Sequence, residues 1–105
     1  MPKRLLFSQQ TPLGHQVVLS RDRWREIVRF KHPSMTGHEA EVRECLRDPE
    51  LVRESLKDPG VHLYYRASGR AYVCVVTGGD ATGDRFVVTA YFTKNIKKGT
   101  ELWTR

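Results

Sequence analysis

A histidine stands at the foot of an arginine-striped segment, Ser20-Arg21-Asp22-Arg23-Trp24-Arg25-Glu26-Ile27-Val28-Arg29-Phe30-Lys31-His32-Pro33. At helical spacing Trp24, Ile27 and Val28 share one face. Arg21, Arg25 and Arg29 recur every four residues on another, and His32 continues that stripe one turn on. Guanidinium forks suit phosphate oxygens, and imidazole suits proton transfer near neutral pH. Arg25 and Arg29 are therefore candidate phosphate ligands, and His32 is the candidate proton-transfer residue. Lys31 falls on the Trp24 face, yet its long stem near the helix end can carry the ammonium out to a phosphate. The plain alternatives are solvated helix surface for the cations and a structural helix-end role for His32.

Further candidates come from segments with strand-like alternation. Residues 61–66 put His62, Tyr64 and Arg66 on one face and Val61, Leu63 and Tyr65 on the other. Tyr64 could stack a base, and Arg66 could pair with a phosphate. In residues 85–92, Arg85, Val87, Thr89 and Tyr91 alternate with Phe86, Val88, Ala90 and Phe92. Thr89 and Tyr91 join Tyr64 and Arg66 in one polar strip if the two strands are neighbours. Ser55 is the polar residue on an otherwise apolar helix face with Leu51, Val52 and Leu56, and Lys97 sits in a lysine-rich turn. His15, His38 and His62 read as structural or surface residues.

These side chains need elements to hold them. Two short strands, 5–7 and 17–19, flank a Pro–Gly turn, and Ser20 is a fitting N-cap for the first helix. Pro33 ends that helix. Thr36 and Glu39 have capping-box spacing for a second helix presenting His38, Val42, Cys45 and Leu46. Asp48-Pro49-Glu50 reads as the start of a third helix with Leu51, Val52, Ser55 and Leu56 inward. The rest reads as strands: 61–66, a continuous apolar run 71–77, 85–92, and a short last strand through Leu102 and Trp103. Residues 78–84 read as a flexible hairpin loop. Helices first and antiparallel strands after make an α+β pattern, and 105 residues suit one domain, 1–105.

Charge narrows the partners. The net charge is +6 and the pI about 9.7, which favours an anionic partner. Residues 1–35 carry seven basic and two acidic groups, 36–60 four and seven, and 61–105 seven and three. If the two basic ends meet in space, a basic groove forms between the first helix and the sheet. Cys45 and Cys74 sit among apolar residues without metal-ligand spacing and read as reduced packing residues of a cytoplasmic protein. Lys3 and Arg4 precede too short an apolar run for a signal peptide, and no run approaches a membrane span. No HxxxH or CxxC pair, no paired strand carboxylates and no phosphate-cradling glycine loop stand out, so neither metal nor cofactor is expected.

The order Val18-Leu19-Ser20, Trp24 to Ile27, His32-Pro33, Asp48-Pro49-Glu50, Ser55, Tyr64-Tyr65, Thr89-Ala90-Tyr91 and Lys97 to Trp103 resembles the phage-associated members of the barnase–EndoU–colicin–RelE-like nuclease superfamily. The resemblance implies an N-terminal hairpin and helices packed on a four- to five-stranded antiparallel sheet, with an RNA-cleaving site on the other side. It also implies a small acidic antitoxin as a partner that blocks the site. Thr89, Tyr91 and Thr93 match the family's polar strand end. The expectation is a metal-independent endoribonuclease toxin that cuts by 2′-hydroxyl attack. His32 would move the proton, Arg66 or Lys31 would stabilise phosphate, and Thr89 and Tyr91 would orient RNA. The rivals are a non-catalytic nucleic-acid-binding module and a basic domain that docks an acidic protein.

Overall fold

The computed structural model describes residues 4–80 and 83–105; Ala81 and Thr82 of the expected 78–84 loop lie outside the described residues. The chain opens with β1 (Leu5–Gln10) and β2 (Gln16–Ser20), an antiparallel hairpin that buries Phe7, Val17 and Leu19. Its turn closes with Gly14 N–H donating to the Thr11 carbonyl at 2.9 Å, and Gly14 takes φ +83°, which a residue without Cβ adopts freely. Ser20 caps α1 (Arg21–Glu26), accepting from Arg23 N–H at 3.1 Å. From Ile27 to Lys31 the helix widens into a π turn, and His32 N–H reaches back to the Ile27 carbonyl at 2.7 Å. His32 itself is extended, φ −139° and ψ 77°, as the residue before a proline prefers.

The second helix, α2, spans Glu39–Arg47. The expected capping box at Thr36 does not form, because the Thr36 hydroxyl donates to the Pro33 carbonyl at 2.8 Å and closes the short turn Pro33–Met35. The inward face is as the spacing requires: Val42, Cys45 and Leu46 are buried, and the His38 ring meets Phe92 edge-on. The Cys45 thiol donates to the Tyr64 and Val73 carbonyls, which fits a packing role.

No third helix forms. Residues Leu51–Ser55 are β3, held between β4 (His62–Ser68) and β7 (Gly99–Thr104). The local Asp-Pro-Glu start signal is weak beside a ladder of hydrogen bonds on both edges, which this five-residue run can join only when extended. With β5 (Ala71–Gly79) and β6 (Arg85–Thr93) the strands form one seven-stranded sheet, in the order β1-β2-β6-β5-β4-β3-β7. The four to five antiparallel strands expected are thus seven, and one pair, β2 with β6, is parallel. The architecture is α+β.

One face of this sheet is covered by the helices and the other only by the chain between β6 and β7. Both helices and the main core, with Trp24, Ile27, Met35, Val42, Leu46, Val52, Tyr64, Val73, Val75, Val87 and Ala90, lie on the same side. A register shift opposite Val76–Thr77 puts an extra residue into β6, so Val87 turns into this core instead of following Thr89 and Tyr91. The open face carries a smaller cluster built on Leu63, Tyr65 and Cys74, with Tyr91 and Ile96 against it.

The chain between β6 and β7 must cross that open face. It leaves β6 at Thr93, level with Tyr72, and enters β7 at Gly99, level with Ser55, at the opposite end of the strands and four positions away. A flat sheet would put that diagonal at about 27 Å, beyond the roughly 20 Å that six residues span. The sheet therefore coils toward the strap formed by residues 94–98. Gly99 suits the landing, since a Cβ there would collide with the Glu54 carbonyl.

The covered face ends in a polar knot. The His15 and His62 rings stack with centroids 5.5 Å apart, and Arg85 donates to Thr77 Oγ1 at 2.9 Å. Burial, with help from Arg85 and His15 and against the pull of Glu54, drives the His62 pKa down to about 4. The unfolded chain then binds a proton at His62 that the folded protein refuses between about pH 6.5 and 4. Stability should fall by on the order of 3 kcal/mol as the pH drops through that window, and level off below it. Denaturant midpoints against pH should show this slope, and His62→Gln should flatten it.

Candidate functional site

Register decides which candidates meet. Cys74 pairs with Tyr91, Val76 with Thr89, Tyr65 with Cys74, Leu51 with Tyr65 and Arg53 with Leu63. Directly paired residues project to the same side, so Arg53, Tyr65, Cys74, Thr89 and Tyr91 all stand on the open face. The other phase of the same strands carries Tyr64 and Arg66 to the covered face. β5 also lies between β4 and β6, so the expected strip of Tyr64, Arg66, Thr89 and Tyr91 does not exist.

His32 reaches the open face round a sheet edge. Beyond Phe86, β6 has no further pairing with β2, and the turn Pro33–Met35 packs against β6 instead. The π turn delivers His32 there, with its ring 5.3 Å from that of Tyr91 at 33°. From above, the strap brings Lys97 Nζ to 5.9 Å from the centre of the same Tyr91 ring. The strap is pinned by two bonds: Lys97 N–H donates to the Tyr65 hydroxyl at 3.1 Å, and Arg53 Nη1 donates to the Lys97 carbonyl at 2.9 Å. An imidazole and an ammonium thus converge within 6 Å of one phenol ring.

The electrostatics of the face favour donors. Burial raises the Tyr91 pKa far above that of a free phenol, with the neighbouring Cys74 thiol adding to it. Burial likewise raises Tyr65 to about 12 and also raises Cys74. All three stay protonated at neutral pH. Thr89 Oγ1 and Arg53 Nε are shielded from water and have no hydrogen-bond partner among the described residues, and the Tyr91 hydroxyl has only the weak Cys74 thiol beside it. Unpaired polar groups of this kind each cost about 1–3 kcal/mol, and a cluster of them on one face points to a ligand that would pair them.

The remaining candidates divide plainly. Lys31 is exposed beside His32. Arg25 is exposed on α1 at 4.0 Å from Asp22, and Arg29 lies over the Phe30 ring. Ser55 is not on a helix; its hydroxyl accepts from the Lys57 and Asp58 N–H groups and shapes the turn after β3. Tyr64 is fully buried and donates to Thr11 Oγ1 at 3.0 Å, so no base can stack on it. Arg66 donates to the Asp48 carbonyl and carboxylate at 2.6 and 3.2 Å on the covered side, away from His32 and Tyr91.

Three residues of the face, Arg53, Tyr65 and Cys74, escaped the sequence reading, Tyr65 having been read as part of the apolar face. Arg53 lay in the supposed third helix, although alternation of Leu51, Arg53 and Ser55 against Val52 and Glu54 was there to be read. Cys74 lay in a run apolar on both sides, where no pattern says which face is open. A separate cleft of about 290 Å³ lies where β2 hands over to β6, lined by Leu5, Ser20, Arg23 and Arg85 among others; it holds no histidine. Among the described residues no group of three or more metal-ligating side chains gathers, and no helix is long and apolar enough to cross a membrane. Comparison with protein families, curated proteins and solved structures finds no match.

Proposed function

We propose that the open face is the active site of a cytoplasmic, metal-independent endoribonuclease with a barnase/RelE-like fold. The observation that carries the reading is the convergence of His32, Tyr91 and Lys97 on one open sheet face. His32 takes the proton of the ribose 2′-hydroxyl, and the freed oxygen attacks phosphorus. The P–O5′ bond breaks as the new bond forms, and the 5′-oxygen leaves with the proton that His32 took up. Lys97 and Arg53 stabilise the added negative charge on the phosphoryl oxygens. This corrects the cation assignment, because Arg66 is held by Asp48 on the other side. Lys31 remains a phosphate ligand at the rim. The protonated Tyr91 and Thr89 hydroxyls orient the phosphate. An open, curved face suits a polymer better than a small molecule.

The reading is tested by incubating purified protein with RNA in excess EDTA and analysing the new ends. The expected products carry 2′,3′-cyclic phosphate and 5′-hydroxyl ends. Salt-sensitive binding without new ends would replace this reading with a binding module. A stable one-to-one complex with an acidic protein, with neither RNA binding nor cleavage, would replace it with an interaction domain. An acidic partner that inhibits cleavage would instead make the enzyme a toxin.

A further inference from the structure

We propose that Phe30 is a stacking platform for an unpaired nucleobase next to the phosphate at the open face; the inference rests on the reading of that face as an RNA site. Phe30 is 74% exposed, the most exposed large hydrophobic side chain among the described residues. Single exposed apolar residues are common on proteins, so exposure alone says little. The winding of the helix says more. In an unbroken α-helix Phe30 would flank the stripe of Trp24, Ile27 and Val28. The π turn from Ile27 to Lys31 is wider, and within it Val28 still packs on the core while Phe30 stands away from it. The same turn carries His32 to Tyr91. One distortion therefore exposes the aromatic ring and seats the imidazole.

The charge around Phe30 selects the partner. The Arg29 guanidinium lies over the ring at 5.6 Å from its centre, and the exposed remainder of the ring is open to a second planar group. Neither Arg29 nor Lys31 forms an ion pair with a carboxylate among the described residues. A flat, sequence-tolerant surface with cations on both sides along the chain suits a base and its flanking phosphates. Phe30 and His32 are two residues apart, so their Cα atoms lie within about 7 Å. That is the scale of one nucleotide, so a strand whose phosphate lies at His32 passes within reach of Phe30.

The test uses fluorescent 2′-O-methyl RNA oligonucleotides of mixed sequence, which lack the attacking hydroxyl and cannot be cut. Fluorescence anisotropy at fixed salt compares the parent protein with Phe30→Ala, Phe30→Leu and Phe30→Trp. Loss of a stack should weaken binding about five- to a hundredfold in the Ala and Leu variants, while Trp retains it. An abasic oligonucleotide should bind the parent and Phe30→Ala alike. Thermal melts should change little, since the side chain is exposed and its one ring contact is with the Arg29 guanidinium. Binding by Phe30→Ala within about twofold of the parent overturns the stacking assignment alone. Retention by Phe30→Leu also overturns it, in favour of a general apolar contact. A parent that neither binds this RNA nor cuts ordinary RNA overturns the site reading and this inference together.

Discussion

His32→Ala should lower RNA cleavage about 10²- to 10⁴-fold while leaving the fold intact. The side chain is half-buried at a sheet edge, and its ring contact is with Tyr91 rather than with the main core. The backbone bond that seats the π turn, His32 N–H to the Ile27 carbonyl, survives truncation of the imidazole. Most of the loss should therefore appear in kcat, with binding of uncleavable RNA changed little. Single-turnover cleavage in EDTA, beside anisotropy with 2′-O-methyl RNA, separates the two. Undiminished cleavage by the variant, with contaminating nuclease excluded, would remove His32 from the chemistry and leave Tyr91, Lys97 and Arg53 to explain it.

Tyr64→Ala should destabilise the protein by about 3–5 kcal/mol, a large part of the stability of a domain this size. The side chain is completely buried between α2 and the sheet, and nothing nearby can fill the space of the ring. Tyr64→Phe keeps the ring and loses only the bond to Thr11 Oγ1, so it should cost about 1 kcal/mol. Chemical denaturation checks both values. Cleavage by Tyr64→Phe should equal that of the parent. A Tyr64→Phe variant that folds normally but binds RNA poorly would contradict the placement of this residue in the core.

The contrast between His32 and Tyr64 shows how far pattern reading reaches. His32 stood out because an imidazole before a proline is a local feature, and local steric rules carry it to the helix exit; the π turn breaks the α spacing of the cationic stripe that led to it. Tyr64 was placed correctly within its strand, opposite in phase to Tyr65, but which phase faces water is not a property of the strand. Both phases of residues 62–65 are buried, one under α2 and one near the strap. Arg66 went to the wrong side for the same reason: its guanidinium is claimed by Asp48, eighteen positions away. Thr89 and Tyr91 were paired correctly as neighbours on one face, since two-residue alternation holds wherever no bulge intervenes. Val87 shows the limit, turned into the core by the extra residue in β6.

By itself the sequence determined the first hairpin, the Ser20 cap, the helix stop at Pro33, the inner face of α2 and the phase of β4, because each depends on residues within a few positions of one another. It also determined the excess of positive charge and the chemistry available at His32, Thr89, Tyr91 and Lys97. Only the tertiary structure decided that Leu51–Ser55 is a strand, since the hydrogen bonds that make it one come from β4 and β7, the latter more than forty residues on. Only the tertiary structure also brought Lys97 to Tyr91 and Arg53 to the strap that carries Lys97. That meeting depends on a strap stretched across a coiled sheet, and strand order and coiling arise from pairing at a distance, which no local pattern encodes.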